Sequence, residues 1–596
     1  MTDADMHFAF DDCGAWPLPD NRVLVRNARS GRHAILTPDV HAALATCTSF
    51  QTLDEHAARI ARTFPALQGQ QAAVRQVLDS VRADGLLISA EVYRTTLKPR
   101  AHPNINVDKP VAAVITWERP EALARVLSSM EEQVDLSNLE RLIVIDDSRT
   151  AEIQQQNRAS VSAFAERVAV PVLFMGAPEQ KGFLDAIVRQ VPQLEHQVRF
   201  LIDRERWDEY WTSGLARTMA LLLSVGRRLL VLDDDILCEV LEPEREPGVA
   251  FGDVMREADF YTNPDAWKAQ RAPAGKDPFL RHLSVLGSEL QDALGALGVG
   301  QLDRDAFKGA EAKVIERLRP DSRVLITECG SVGDAGTSNL NWLAELRGAS
   351  LEKLTRDPET TASALRQRNA WHGRRVNHVL PRANMSQLTG LDHRIMLPPY
   401  IPILRGEDRL FGDMVEFMYP DDVVIDQSWS VPHLPLPARQ WAASERHYKT
   451  QQPFPRFALS LVEDHQNASS AKEPLKRLSH LARLYDNLAD QNHAQLVSQH
   501  ETARLGAKAR SYCTIREALT AAGEEAPEEW RAFLTEALSR LNHELVDNPS
   551  DRPLRGDPAG LEGQALTAWW TRFWSDFSQA LRAWPAIRLA ASRVEI

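Results

Sequence analysis

Arg228-Leu-Leu-Val-Leu-Asp233-Asp234-Asp235 is the stretch that decides how this chain is read. Four apolar residues in a row, with no in/out alternation, describe a strand covered on both faces, as in a parallel sheet packed between helices. That strand runs straight into three carboxylates. In an open α/β sheet, ligands gather beyond the carboxyl ends of the strands. Carboxylates placed there hold a hard divalent cation such as Mn2+ or Mg2+ through oxygen. Such an ion would neutralise a diphosphate and stabilise it as a leaving group. An acidic surface turn has the same local appearance, so the surrounding segments must decide.

Working outward, Val111–Ile115, Leu142–Ile145 and Val170–Met175 are further apolar runs, with helical patterns over Glu121–Met130 and Gly214–Val225. Strands alternating with helices predict an α/β domain with a mostly parallel sheet. The first run leads into Thr116-Trp117-Glu118-Arg119-Pro120 and the second ends at Asp146-Asp147-Ser148. Gly214-Leu-Ala-Arg217-Thr218 opens the helix that precedes the Asp cluster. Farther on come Arg405-Gly406-Glu407-Asp408-Arg409 and Trp429-Ser-Val-Pro-His433. Read singly, the Glu-Asp pair is a solvated ion cluster of little energetic weight, and His433 is a core or surface histidine.

Taken together and in this order, these segments resemble the nucleotide-sugar-binding half of GT-A glycosyltransferases, family 2 in particular. Thr218 stands where that family has Asn, and Ser148 follows the Asp pair directly instead of one residue later. The resemblance implies a Rossmann-like GT-A core. It implies a nucleoside pocket from Thr116, Glu118, Arg119, Asp146 and Asp147, with Asp233 and Asp234 also on the donor. It implies a divalent metal, Mn2+ or Mg2+, on Asp235, Asp233 and His433. Asp408, beside Glu407, would be the catalytic base of an inverting transfer, and Arg217 or Arg405 would meet phosphate charge. The donor would be a nucleotide sugar, most commonly a UDP-sugar. Leu241–Arg319 reads as an inserted acceptor-binding region.

The flanks read separately. Val23–Val25 and Ala34–Leu36 form a hairpin pattern around Gly31. Three helical patterns follow, one opened by Thr37-Pro38, one by the capping box Thr52-Leu53-Asp54-Glu55, and one marked by Val74, Val77, Leu78 and Val81. Gly85-Leu-Leu-Ile then returns as a strand. This winged-helix-like pattern resembles the PqqD-like modules called RiPP recognition elements. These capture leader peptides of ribosomally made natural products by strand addition. A DNA-binding winged helix would carry a strongly basic face, whereas Asn21–Tyr93 has eight arginines, no lysine and six acids. A purely structural cap is the other reading. Proline-rich stretches at Arg94–Pro110 and Pro435–Phe457 divide the chain into 1–105, a glycosyltransferase domain at 106–440, and a helical region at 441–596. In the last, Leu475, Leu478, Leu481 and Leu484, and the stripe Trp569, Trp570, Phe573, Trp574 and Phe577, read as helix-packing faces.

Composition sets the outer limits. The 596 residues are 44% hydrophobic and 25% charged, which describes a globular protein, with a formal net charge of −13 that offers no global footprint for nucleic acid. Apolar runs such as Met219–Leu223 fall far short of a membrane span. The acidic start lacks a secretory signal, and the five cysteines are scattered. The expectation is a cytoplasmic, metal-dependent glycosyltransferase acting on a peptide or protein side chain. A glycan acceptor, as in surface polysaccharide synthesis, and a non-catalytic sugar- or peptide-binding scaffold are the alternatives.

Overall fold

The structure is a computed structural model, and it describes residues 6–10, 13–28, 30–105, 108–244, 246–252, 255–263, 265–266, 277–383, 387–450, 454, 456–546, 556, 558 and 560–595. Parts of the two expected proline-rich boundaries, 106–107, 451–453 and 455, lie outside these residues, as do parts of the expected insertion, 245, 253–254, 264 and 267–276.

The N-terminal region has strands β1 (Phe8–Phe10), β2 (Cys13–Leu18), β3 (Arg22–Asn27), β4 (His33–Leu36) and β5 (Leu87–Ser89). β2, β3 and β4 form an antiparallel sheet in that order, and β1 pairs with β5. Helices Pro38–Leu44, Leu53–Thr63 and Gln71–Ala83 lie between β4 and β5. Their starts follow from local chemistry. The Thr37 hydroxyl accepts from Val40 N, with Pro38 in the first turn. Thr52 and Glu55 cap each other reciprocally, at 2.9 and 3.2 Å. Val25, Leu44, Leu53, Ile60 and Leu78 fill the core beneath.

This region does not stand apart. Phe50, Tyr93 and Leu97 share one apolar cluster with Phe251, Leu294 and Phe307. Backbone bonds tie Phe50 N to Ala310 O and Gly309 N to Phe50 O, both 2.8 Å. Arg100 reaches Asp292 at 2.9 Å. Described parts of the Leu241–Arg319 segment, expected to receive the acceptor, also seat the N-terminal region.

The centre is an eleven-stranded sheet built from β6 (Val111–Thr116), β7 (Arg141–Asp146), β8 (Val172–Met175), β9 (Arg228–Asp233), β10 (Val249–Phe251), β11 (Glu257–Phe260), β12 (Val324–Asp334), β13 (Asn369–Gly373), β14 (Asn377–Leu380), β15 (Leu388–Asp392) and β16 (Val423–His433). The main order is β10-β14-β16-β12-β15-β9-β6-β7-β8, with β13 joining β11 to β12. The parallel arrangement expected from the apolar runs holds for β9-β6-β7-β8. The other half is mixed. β12 and β16 are parallel and β10 and β14 are parallel, while β15 runs against both β9 and β12. Because β15 reverses twice, β12 and β16 point the same way as β6, β7 and β9. The carboxyl ends of five strands, at Thr116, Asp146, Asp233, Asp334 and His433, are thereby brought to one edge of the sheet.

The C-terminal helices brace this core. Pro474–Ala489 and Gly563–Ala591 pack together, with the Tyr485 ring 5.5 Å from Trp574 and 4.9 Å from Phe577. Trp570, Phe573, Trp574 and Phe577 are buried, so the aromatic stripe is packing, as its spacing predicts. Trp584 Nε1 donates to Leu397 O at 2.7 Å, fixing the start of the loop that leads to Glu407 and Asp408. Among the described residues, no helix is long and apolar enough to cross a membrane.

Candidate functional site

A cleft of about 420 Å3 opens at the shared carboxyl edge. β6 sends its chain toward β7 while β9 returns on its other side, and such a reversal leaves a crevice above the strand ends. Thr116, Arg119, Asp147, Arg217, Asp233, Asp234, Asp235, Arg405, Glu407, Asp408 and His433 all line it.

Two of the expected residues do not line it. Asp146 is fully buried, and its Oδ1 accepts from Ser148 N at 3.0 Å and Asn157 Nδ2 at 3.1 Å, so it shapes the turn after β7. Glu118 sits at φ +54°, and its carboxylate accepts from Arg149 N at 2.5 Å and Thr150 N at 2.8 Å. It steadies the neighbouring loop where a nucleoside contact was expected. Side-chain direction decides both cases, and sequence position does not reveal it.

The Asp cluster is held from two sides. Thr116 Oγ1 donates to Asp234 at 2.7 Å, and Arg119 Nη1 bridges Asp234 and Asp235 at 3.2 and 3.0 Å. Leu434 N donates to Asp235 O at 2.8 Å, so the cluster is stitched to the end of β16. His433 Nδ1 bonds Asp334 O at 2.6 Å, which turns Nε2 toward Asp235 Oδ1, 3.1 Å away. Burial draws the imidazole pKa down, but the Asp235 carboxylate outweighs it and the net shift is upward. Burial, with Asp235 adding, pushes Asp234 up to about 7.

The Glu-Asp loop meets this cluster from the far side. Gly214 allows the approach, because a Cβ there would stand 1.9 Å from Ile401 O. Thr218, in the family's Asn position, binds the loop through its hydroxyl, which accepts from Tyr400 N at 3.0 Å. Gly406, at φ +101°, turns the chain into the helix Glu407–Met418, whose first turn favours acids. Glu407 accepts from Gly406 N at 3.0 Å and from the Ser213 hydroxyl. Asp408 keeps 33% of its side-chain exposure, toward the cleft, and lies 3.1 Å from Arg217 Nε. Arg217 Nη2 also contacts Asp233 at 3.0 Å. Burial raises Asp408 to about 7 against the pull of Arg217, with Glu407 and Asp233 adding to the rise. A carboxylate held there is poised to accept a proton near neutral pH.

Several residues that the sequence did not single out complete the cleft. Trp117 and Trp211 meet edge to face at 5.0 Å, and Arg405 stacks over Trp211 at 3.7 Å. Asp147 accepts from the Thr212 hydroxyl and lies 3.3 Å from Arg204. Arg439, beyond β16, contacts Asp334 at 2.8 Å. None belongs to a local pattern. Only Trp117, next to Thr116 in the quoted turn, lay within reach of a sequence signal.

Among the described residues, no group of three or more His, Cys, Asp or Glu side chains is arranged as a metal centre. The expected trio of Asp233, Asp235 and His433 is not assembled, since Asp233 turns to Arg217 and Asp235 is shared between Arg119 and His433. The donor chemistry nevertheless fits a divalent ion. Carboxylate oxygens and an imidazole nitrogen are donors a divalent ion accepts, and His433 Nε2 and Asp235 Oδ1, paired with each other at 3.1 Å, would part to hold one. The carbonyl on Nδ1 is the outer partner that orients a metal-binding imidazole. Eight carboxylates line the cleft against five arginines and one histidine. A diphosphate entering alone would meet excess negative charge.

No family model matches the chain, and no curated protein matches it in sequence. Among solved structures it is similar to a mannosyltransferase from Pyrobaculum calidifontis in complex with GDP-Man and Mn2+, at 11% identity, 84% coverage of this chain, 92% of that chain and a TM-score of 0.27. It is also similar to the mannosyltransferase Ktr4p from S. cerevisiae, at 10% identity, 30% and 50% coverage and a TM-score of 0.13.

Proposed function

We propose that this protein is a metal-dependent, inverting glycosyltransferase of GT-A type that moves a sugar from a nucleoside-diphosphate donor to a peptide or protein side chain. One observation carries the reading: the Asp cluster, His433 and the Glu407-Asp408 turn, up to 200 residues apart in sequence, line a single cleft at the carboxyl ends of the strands. A Mn2+ or Mg2+ ion held by Asp235 and His433, with Asp233 released from Arg217 to join them, would offset the excess of carboxylates and the charge of a departing diphosphate.

The chain's own residues do the rest. Thr116 and Arg119 fix the Asp cluster from the β6 side, and Asp147, steadied by Thr212 and Arg204, faces the nucleoside end. Asp408 takes the proton of an acceptor hydroxyl or thiol as that atom bonds to the anomeric carbon. The carbon–oxygen bond to the diphosphate breaks on the opposite face, its electron pair leaves with the diphosphate, and the configuration inverts. Arg217 holds Asp408 in place.

The peptide acceptor draws support from the N-terminal sheet. Trp16, Leu24 and Ile35 stand in register across β2, β3 and β4, with Trp16 and Ile35 50% and 54% exposed. An exposed apolar row of this kind marks an interaction surface. A glycan acceptor is the second reading, favoured by the Trp117–Trp211 pair at the cleft. Intact-mass spectrometry of peptide and glycan acceptors with a panel of nucleotide sugars and Mn2+ tests both, and a shift of one hexose on either names the acceptor. A donor-hydrolysis assay separates an enzyme from a scaffold, and no hydrolysis of any donor would leave the scaffold standing. Removal of residues 1–105 is a poor test, because it would strip the cover from Phe251, Leu294 and Phe307. Trp16→Ser with Ile35→Ser leaves that interface intact and should weaken peptide modification while sparing donor hydrolysis.

A further inference from the structure

The five arginines of the cleft differ in what already holds them. Arg217 is buried, with Asp233 and Asp408 on either side at 3.0 and 3.1 Å. Two of its nitrogens are thus occupied by carboxylates, so it serves as a fixed counter-ion. Arg149 is engaged by Asp208 and by Thr212, both at 3.2 Å. Arg119 shares one nitrogen between Asp234 and Asp235.

Arg405 and Arg439 are different. The Arg405 guanidinium carbon lies over the Trp211 ring, 3.7 Å from its centre, and among the described residues no carboxylate is within ion-pair distance of it. A cation–π contact on the ring face steadies the guanidinium and does not consume its N–H donors. Arg439 uses Nε on Asp334 at 2.8 Å, and its Nη2 comes only within 3.9 Å of Asp235. Asp334 is itself buried and also contacts Arg368 at 2.8 Å, so Arg439 has a rigid support. The two guanidiniums reach the cleft from separate segments, one ahead of the Glu407–Met418 helix and one beyond β16. Burial, and then the like charges of Arg439 and Arg119, hold Arg405 below the usual arginine range despite Glu407. Cations brought together beside an open space are stabilised by an anion that bridges them, and guanidinium forks match phosphate oxygens.

We infer that Arg405 and Arg439 are the pair that binds the donor's diphosphate, and that Arg217 is the counter-ion of Asp408 and not a phosphate ligand. This rests on the nucleoside-diphosphate reading above and adds Arg439, which no sequence pattern marks. Two guanidiniums from separate segments offer each phosphoryl group of a diphosphate its own fork.

Titration calorimetry in the presence of Mn2+ tests it on the full chain, with UDP, GDP, ADP and CDP and the matching monophosphates. Wild type should bind one diphosphate tighter than its monophosphate. Arg439→Met and Arg405→Met should each weaken that diphosphate about tenfold or more. The double variant should lose the preference over the monophosphate, and Arg439→Lys should fall between. Thermal melts identify any variant that fails to fold, and the lysine variant then carries the comparison. Unchanged diphosphate affinity in folded Arg439 and Arg405 variants overturns the inference alone. Failure of wild type to bind any of the four diphosphates overturns it together with the donor reading.

Discussion

β12 and β16 carry two charged clusters that differ in every physical respect. In mid-strand, Asp426 is clamped by Arg256 at 2.9 and 3.0 Å and by Arg374 at 2.9 Å, with Glu328 3.6 Å from Arg256. All four side chains are sealed from solvent, and two acids balance two bases. At the ends of the same strands, His433 borders an open cleft in which acidic side chains outnumber arginines, and Asp334 anchors Arg439 beside it. The sealed cluster is complete as it stands, and its geometry serves folding. The open cluster is unbalanced, and a bound cation would correct the excess of acids and let an anionic ligand enter. Buried charge by itself does not mark a site. Uncompensated charge facing a cavity does.

The comparison can be broken by exchanging the effects. Asp408→Asn should lower sugar transfer by about 10²–10⁴-fold, the usual contribution of a general base. Binding of the nucleoside diphosphate and the unfolding midpoint should stay as in wild type. Asp426→Ala should do the reverse, costing about 3–5 kcal/mol in urea unfolding because two buried guanidiniums lose their main partner. A stable Asp426 variant without activity, or an unfolded Asp408 variant, would contradict the division.

Metal dependence sharpens it further. Chelation should weaken diphosphate binding about tenfold or more by calorimetry, with little change in the melting curve, whereas Asp235→Ala should weaken binding and also lower the melting point, because buried His433 loses its partner. Equal binding with and without Mn2+ would remove the cation from the cleft.

The pH responses should also separate. Asp408 must be ionised to accept a proton, and it is raised to about 7, so transfer should climb with pH through about 7, roughly tenfold per unit below it. Asp234 is raised into the same range, and the limb should persist in Asp234→Asn if Asp408 is its source. For Asp426, burial works to raise the pKa, but Arg256 and Arg374 outweigh it and hold the carboxyl below its ordinary range. Its contribution to stability is therefore present above the ordinary carboxylate range and lost as pH falls through the depressed value. Activity should fail near neutrality while the fold fails only in acid. The smallest effect expected is that of Trp16→Ser with Ile35→Ser, which should change peptide modification and leave transfer to small acceptors unaltered.

Much of this was written locally. Capping at Thr37 and Thr52, the unbroken apolar runs of β6, β7 and β9, and the carboxylates that follow β9 depend on neighbours a few residues away, so sequence alone determined them. The residue types of the cleft and their order along the chain were legible for the same reason. Tertiary structure decided the rest. It turned Glu118 and Asp146 away from the cleft, because their hydrogen-bond partners belong to the adjoining loop. It made the mixed half of the sheet and seated the N-terminal region on the 241–319 segment, through pairings between strands and loops far apart in the chain. It delivered Trp211 and Arg439 to the cleft from positions with no periodic signal. Propensity and patterning act over a few residues, whereas the direction of a side chain at a strand end is set by whatever long-range contact satisfies it.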